Sequence, residues 1–358
     1  MSSFDSIHDA GEPASSIDSS LVARVVAEHR DRHLVALGDV VRPAVPAGRL
    51  RRLAERDAEL RPAVGDWVEV VAPSAGGDGP LVVTGVRPRR SAIRRKSAGD
   101  ATVAQVVAAN VDVAFVLTAV PGDVSARRLE RYLTLVWESG ATPVVVLTKA
   151  DLADDLAGAL AEARLAAPGA DVVALSAATG EGVAQLDRWL APGITAVLLG
   201  SSGVGKSTLA NRLAGAQRLR TGAVREDGRG RHTTTHRELV ALPGGASLVD
   251  TPGLREVQLW AEAGEDAAGL AAAFADVAAL AAGCRFANCA HDAEPGCAVR
   301  AAVADGRLDE GRLDAWRALR RELAWLERRQ DARAAAERRG QERSAAKALR
   351  DVVRRKRG

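Results

Sequence analysis

Residues 200–207 read Gly-Ser-Ser-Gly-Val-Gly-Lys-Ser, which meets G-x-x-x-x-G-K-[ST] at every fixed position. Such a string makes a phosphate cradle. Gly200, Gly203 and Gly205 let the backbone turn tightly, and with Ser201, Ser202 and Val204 they turn amide N–H groups toward phosphate oxygens. Lys206 is placed to neutralise the β- and γ-phosphates, a catalytic role. Ser207 offers a hydroxyl to Mg²⁺, and Thr208 opens the following helix, whose N-terminal dipole favours anions. The context fits, because 194–199 reads as a strand and 208–213 as a helix. Further on, Asp250-Thr-Pro-Gly253 closes another apolar run. Asp250 can hold a Mg²⁺-bound water there, and the Gly253 N–H can meet a γ-phosphate. Between the two lies a Gly-rich polar stretch, 228–236, whose threonines are candidates for the remaining Mg²⁺ position.

A second constellation could read a base. Thr148-Lys149-Ala150-Asp151 ends a buried strand. A carboxylate at Asp151 accepts both N–H groups of the guanine Watson–Crick edge, whereas adenine presents the opposite pattern and leaves it unpaired. The stem of Lys149 can cover the base plane. Ser176-Ala177 ends the next strand and suits a loop whose backbone N–H meets the guanine oxygen. In an ordinary GTPase the base-reading string follows the phosphate loop, and here it precedes it. That order predicts a circularly permuted chain. Thr148 stands where most GTPases carry Asn, which predicts a looser loop-tying hydrogen bond and modest nucleotide affinity.

These strings need strands and helices to hold them. Over 21–96, short β-like runs at 21–26, 33–37, 66–71 and 81–84 alternate with Gly and Pro, predicting a small β-barrel. From about 101, near-continuous apolar strands at 112–118, 143–148, 171–176, 194–199 and 247–250 alternate with helical stretches. This is the pattern of a parallel sheet covered on both faces. Beyond about 262 the chain reads as helical. Of 358 residues 47% are hydrophobic and 27% charged, and the net charge is +3, so nucleic-acid contact must come from local patches. No apolar run of roughly 18 residues or more predicts a membrane span. The Ser-rich start lacks the features of a signal peptide and reads as a disordered tail.

Two further features carry chemistry. Cys284, Cys289, His291 and Cys297 supply three thiolates and one imidazole within 14 residues. A closed Cys₃His set predicts one structural Zn²⁺ in a reducing compartment. The basic segment from Arg87 to Lys96 and the Arg-rich end near 354–357 predict phosphate-backbone contact with RNA. Trp316 and Trp325 read as core.

From about residue 20 to 330 these strings resemble the ribosome small-subunit-dependent GTPase A family, in particular Gly200–Leu209, Gly230-Arg-His-Thr-Thr-Thr235, Asp250–Gly253 and the cysteine cluster. The resemblance implies a multidomain chain. It has a disordered tail at 1–19, an N-terminal OB-fold β-barrel at 20–100 and a central circularly permuted α/β P-loop GTPase domain at 101–262. A C-terminal α-helical zinc-binding domain at 263–328 and a basic tail at 329–358 complete it. It implies a cytoplasmic monomer that uses GTP with Mg²⁺, partners the small ribosomal subunit and its rRNA, and acts in late subunit maturation. Leu254 follows Gly253 where Ras-like enzymes place a water-orienting Gln. The resemblance assigns that work to His232, with His236 as competitor, and the Mg²⁺ threonine to Thr234. Two other readings remain: a nucleotide-regulated RNA-binding module acting on another RNA, and an ATPase or kinase.

Overall fold

The computed structural model describes residues 21–29, 32–73, 79–97, 100–122, 124–215, 237–250, 268–325 and 327–328. His232, Thr234, Gly253, Leu254, the stretch 228–236 and both tails lie outside these residues.

The first strands are β1 (Leu21–His29), β2 (Arg32–Leu37), β3 (Val40–Pro46), β4 (Trp67–Val71) and β5 (Leu81–Val86), with helix α1 (Gly48–Ala54) between β3 and β4. Their pairing order β1-β2-β3-β5-β4 returns from β4 to β1, so five strands close into a barrel. Alternation fills it: Ala23, Val25, Val35, Ala44, Val68, Val70, Leu81 and Val83 point inward and are buried. β3 carries Pro43 and Pro46, which hid it in the sequence. A hairpin of β6 (Ala92–Ser97) and β7 (Asp100–Ala109) follows as a separate two-stranded sheet.

The second unit is built on β8 (Val113–Ala119), β9 (Thr142–Thr148), β10 (Asp171–Ala174), β11 (Thr195–Gly200), β12 (Arg237–Ala241) and β13 (Ser247–Asp250). They lie side by side in the order β10-β9-β8-β11-β13-β12, parallel except for β12. The sheet is thus two consecutive halves, β8–β10 and β11–β13, joined along the β8–β11 pair. Either half can come first in the chain without altering a strand neighbour, which is why the permuted motif order is compatible with one sheet. Apolar runs are continuous because the two faces feed different cores. Ala114, Val116, Val145, Leu147, Val197 and Leu199 face one side, while Val113, Phe115, Leu117, Val144, Val146 and Leu198 face the other.

Helices α2 (Ala126–Glu138) and α3 (Leu156–Ala166) pack with the first core. The second core is closed by α4 (Lys206–Leu213) and the 3₁₀ segment Val183–Trp189, with Trp189 edge-on to Phe115 at 6.2 Å. β12 also pairs with barrel strand β1, and Arg237 bridges to Glu28 at 2.6 Å, so barrel and sheet are edge-to-edge neighbours.

The remaining helices are α5 (Ala268–Ala273), α6 (Ala275–Ala281), α7 (Ala298–Ala304) and α8 (310–325). They share one continuous core with α2: Leu270, Phe274, Val277, Val299 and Leu313 belong to the same apolar cluster as Leu129, Leu133 and Val136. One buried cation orients this packing. Arg312 of α8 reaches Glu130 of α2 at 2.6 Å, grips Asp276 of α6 at 2.9 and 3.0 Å, and donates to the Ala273 carbonyl at 2.8 Å. Its guanidinium also lies over the Phe274 ring. Trp316 packs beside this core, whereas Trp325 is 44% exposed, against the expectation that both are core.

Burial lifts the Glu130 carboxyl above its ordinary range, although Arg312 opposes the rise. Removing the guanidinium leaves a buried carboxylate unpaired. Arg312→Met should therefore destabilise by about 3–5 kcal/mol at neutral pH. A raised folded-state pKa disfavours the fold as pH climbs through it, so the deficit of the variant should shrink on acidification and shrink again in the Glu130→Gln background. Calorimetric unfolding across pH checks both.

Candidate functional site

The parallel registers bring the C-terminal ends of β8, β9, β10, β11 and β13 to one edge of the sheet, where open α/β sheets bind ligands. The phosphate loop leaves β11 at Gly200. A Cβ there would stand 2.4 Å from the Leu117 carbonyl oxygen of β8, and φ is +140°, so glycine is required twice over. Gly203 and Gly205 adopt positive φ as well, and Gly205 caps α4. Val204 is buried, while Ser202, Ser207 and Thr208 are exposed. The Lys206 ammonium donates to the carbonyls of Gly200 at 2.7 Å and Ser201 at 2.6 Å. Phosphate oxygens would compete with those two carbonyls for the same charge. Asp250 is half-buried at the end of β13.

The residues expected to read a base stand beside this loop. Thr148 is 1% exposed, and its hydroxyl donates to the Val204 carbonyl at 2.6 Å, with the Thr118 carbonyl at 3.3 Å. The expectation of a loosened tie is therefore corrected. The short Thr side chain reaches the phosphate loop directly, across the end of β8, where Thr148 pairs with Ala119. Lys149 follows in the left-handed region (φ 57°, ψ 36°) and turns the chain into the 3₁₀ segment Ala150–Leu152. Lys149 and Asp151 are exposed. The Ala150 N–H donates to the Leu175 carbonyl at 3.2 Å, tying this turn to the strand end that leads to Ser176.

Ser176 and Ala177 are buried, and the loop they open is internally bonded. The Ser176 N–H donates to Glu181, Gly180 donates to the Ser176 carbonyl, and Thr179 donates to the Ser176 hydroxyl. Arg212, in the last turn of α4, donates to the carbonyls of Ala177 at 3.1 Å and Ala178 at 2.6 Å. Sequence reading missed this residue, since one arginine among many in an Arg-rich chain carries no signal of its own. The three loops are thus linked pairwise: phosphate loop to base turn, base turn to the Ser176 loop, and Ser176 loop back to the phosphate-loop helix.

The three cysteines and His291 come together as one group. Cys284 and Cys297 lie 3.9 Å apart through sulfur, and the His291 Nδ1 is 3.6 and 3.5 Å from them. All four ligand atoms, with Cys289, fall within 4.8 Å of one another. A tetrahedral ion with about 2.3 Å to sulfur and about 2.0 Å to nitrogen spans edges of roughly 3.8 Å between sulfurs and 3.5 Å from sulfur to nitrogen. The donor set fits such an ion. Its frame is built locally: the Cys297 sulfur accepts from Arg300 N–H at the start of α7, and Glu294 accepts the N–H groups of Ala290, Asp292 and Ala293. The His291 ring rests on Trp316, with centroids 5.0 Å apart.

The basic segment after the barrel is largely inward in its bonding. Arg89 forms a fork with buried Asp66 at 2.7 Å and also reaches Glu59 and Arg61. Arg94 pairs with Glu59 at 2.9 Å. Those two guanidiniums brace the barrel against the hairpin, and Arg87 and Arg90 are the more exposed ones.

The profile of the RsgA GTPase family matches residues 86–260. A small ribosomal subunit biogenesis GTPase RsgA of Opitutus terrae is 50% identical over 323 residues, 88% of this chain and 86% of that protein. Another, RsgA 1 of Oceanobacillus iheyensis, is 45% identical over 320 residues, 89% of this chain and 90% of that protein. Among solved structures, YjeQ from Thermotoga maritima aligns with TM-score 0.62 and 25% identity, over 85% of this chain and 98% of that one. YloQ, described as a circularly permuted GTPase, aligns with TM-score 0.59 and 22% identity, over 85% of this chain and 95% of that one, and supports the fold. With the phosphate loop, the permuted sheet and the Cys₃His group in place, the chain belongs to the RsgA GTPase family and is a GTP hydrolase.

Proposed function

We propose that this GTPase acts in late maturation of the small ribosomal subunit, binding the subunit with GTP and leaving after hydrolysis to GDP and phosphate. The observation that carries the reading is the set of three linked loops at one sheet edge, in a chain that matches subunit-biogenesis GTPases along most of its length. Lys206 and the amides of 200–208 hold the phosphates. Ser207, Thr234 and, through water, Asp250 hold Mg²⁺, and the Gly253 N–H meets the γ-phosphate. Thr148, Lys149, Ala150 and Asp151, with Ser176 and Ala177, enclose guanine. His232 orients the attacking water once the partner orders its loop. The Cys₃His group holds Zn²⁺ as a structural ion.

The protein works as a cytoplasmic monomer, and among the described residues no helix is long and apolar enough to cross a membrane. Its units are 20–100, 101–262 and 263–328, flanked by tails at 1–19 and 329–358. The β6–β7 hairpin straddles the first border as a connector. rRNA is met by the barrel and the basic tail.

GTP turnover should rise with purified small subunits, and not with large subunits or tRNA. Stimulation by those other RNAs would favour a module that serves another RNA. His232→Ala should lower the stimulated single-turnover rate by about 100-fold, and an unchanged rate rejects that role.

Thr148→Val keeps the shape but strands the Val204 carbonyl, so the Kd for GDP should rise by roughly tenfold while the fold persists. Equilibrium titration reads this directly.

Cys289→Ser opens the metal site. Metal analysis should show loss of bound zinc together with a lower melting temperature, and full retention of the ion contradicts the assignment.

A further inference from the structure

Arg212 is bound to nothing that touches phosphate, yet it is the residue that joins the phosphate-loop helix to the base-side loop. α4 begins at Lys206, and its last turn places the Arg212 guanidinium against two successive carbonyls, those of Ala177 and Ala178. Gly180 makes room for it: a Cβ there would lie 3.1 Å from Arg212 Nη1, on a residue with φ +93°.

A trans peptide points its N–H opposite to its C=O. Holding the Ala177 carbonyl toward α4 therefore turns the Ala178 N–H away from α4. The other amides of the loop are engaged: those of Ser176, Thr179 and Gly180 meet Glu181, the Ser176 hydroxyl and the Ser176 carbonyl. Among the described residues the amides of Ala177 and Ala178 have no partner, so they are the donors left for a ligand. A donor pair fixed in a loop beside Asp151 is complementary to an exocyclic carbonyl oxygen, as on guanine. It is not complementary to an exocyclic amino group or to a bare ring carbon.

We propose that Arg212 is a specificity-setting positioning residue: by clamping the Ala177 carbonyl it aims the Ala178 amide at the 6-oxygen of the purine, and by holding the Ala178 carbonyl it fixes the next peptide, whose N–H is spent on the Ser176 hydroxyl. The proposal rests on the reading of Thr148–Asp151 and Ser176-Ala177 as the guanine site. Asp151 would read the 1- and 2-position N–H groups, and the clamped loop would read the 6-position, so IDP isolates the 2-position and the change on substituting Arg212 isolates the 6-position. Because the guanidinium is carried on the helix that starts at Lys206, correct seating of the phosphates also sets the height of the loop over the base.

The test compares GDP, IDP and the diphosphate of 2-aminopurine riboside, each displacing a fluorescent GDP analogue from wild type, Arg212→Ala and Arg212→Lys. IDP keeps the 6-oxygen and lacks the 2-amino group, whereas the 2-aminopurine compound keeps the amino group and lacks both the oxygen and the 1-position N–H; Asp151 is intact in every Arg212 variant, so the change in this ratio between variants reports the oxygen alone. In Arg212→Ala the preference for GDP over the 2-aminopurine nucleotide should collapse by about tenfold. The GDP-to-IDP ratio should stay at the wild-type value, and Arg212→Lys should fall between. An equal loss for all three nucleotides would show a merely structural role and overturn the proposal, as would an unchanged GDP-to-2-aminopurine ratio. Asp151→Asn, assayed with XDP, keeps the two readings apart. A switch toward XDP upholds the base site whatever Arg212 does, and no switch means that the base site itself is misplaced.

Discussion

The site depends on one constraint: three loops from three different strand ends must be held at fixed mutual distance. The hydroxyl of Thr148 on the Val204 carbonyl joins base turn to phosphate loop. The Ala150 amide on the Leu175 carbonyl joins base turn to the Ser176 loop. Arg212 on Ala177 and Ala178 completes the ring. Each loop alone is a short irregular segment whose backbone could drift. Joined pairwise, none can move without breaking a hydrogen bond to a neighbour, and Thr148 and Val204 make theirs in the dry interior, where an unpaired carbonyl is costly. This preorganisation is what a nucleotide needs if its base and phosphates are to be read together.

The permuted chain is compatible with that constraint because strand neighbours, not chain order, set the loop positions. The β8–β11 pair stitches the two halves of the sheet and brings the phosphate loop beside the end of β8. Permutation also sends the chain from β13 into the C-terminal helices. They do not hang as a separate body. They share the core over α2 and are oriented by Arg312 between Glu130 and Asp276. α2 leads directly into β9, whose last residue is Thr148. A contiguous packed path therefore runs from the helices around the Cys₃His group to the turn at Thr148 through α2. It is distinct from the covalent path through 251–267.

Much of the site was legible in the sequence because its chemistry is carried by local strings. The phosphate loop needs glycines at set offsets and a lysine beside the helix start, and the Cys₃His group needs four ligands within one short stretch. The central strands were legible as apolar runs, since burial on both faces erases alternation. β3 was hidden by its prolines. β12, with its charged start at Arg237 and Glu238, presented no such run. Arg89 and Arg94 read as a nucleic-acid patch because charge counts do not reveal partners, and Asp66 and Glu59 lie far off in sequence.

The amino-acid sequence by itself determined the reaction class, the permuted order and the grouping of three cysteines with one histidine, since each is a matter of residue type and order along the chain. Only the tertiary structure decided that Thr148 does tie the loops, that Arg212 clamps the base side, and that Arg312 locks the C-terminal helices to α2. Each of those is a contact between groups from 34 to 182 positions apart along the chain. Hydrogen bonds act over about 3 Å, and which distant groups come that close is set by strand register and core packing.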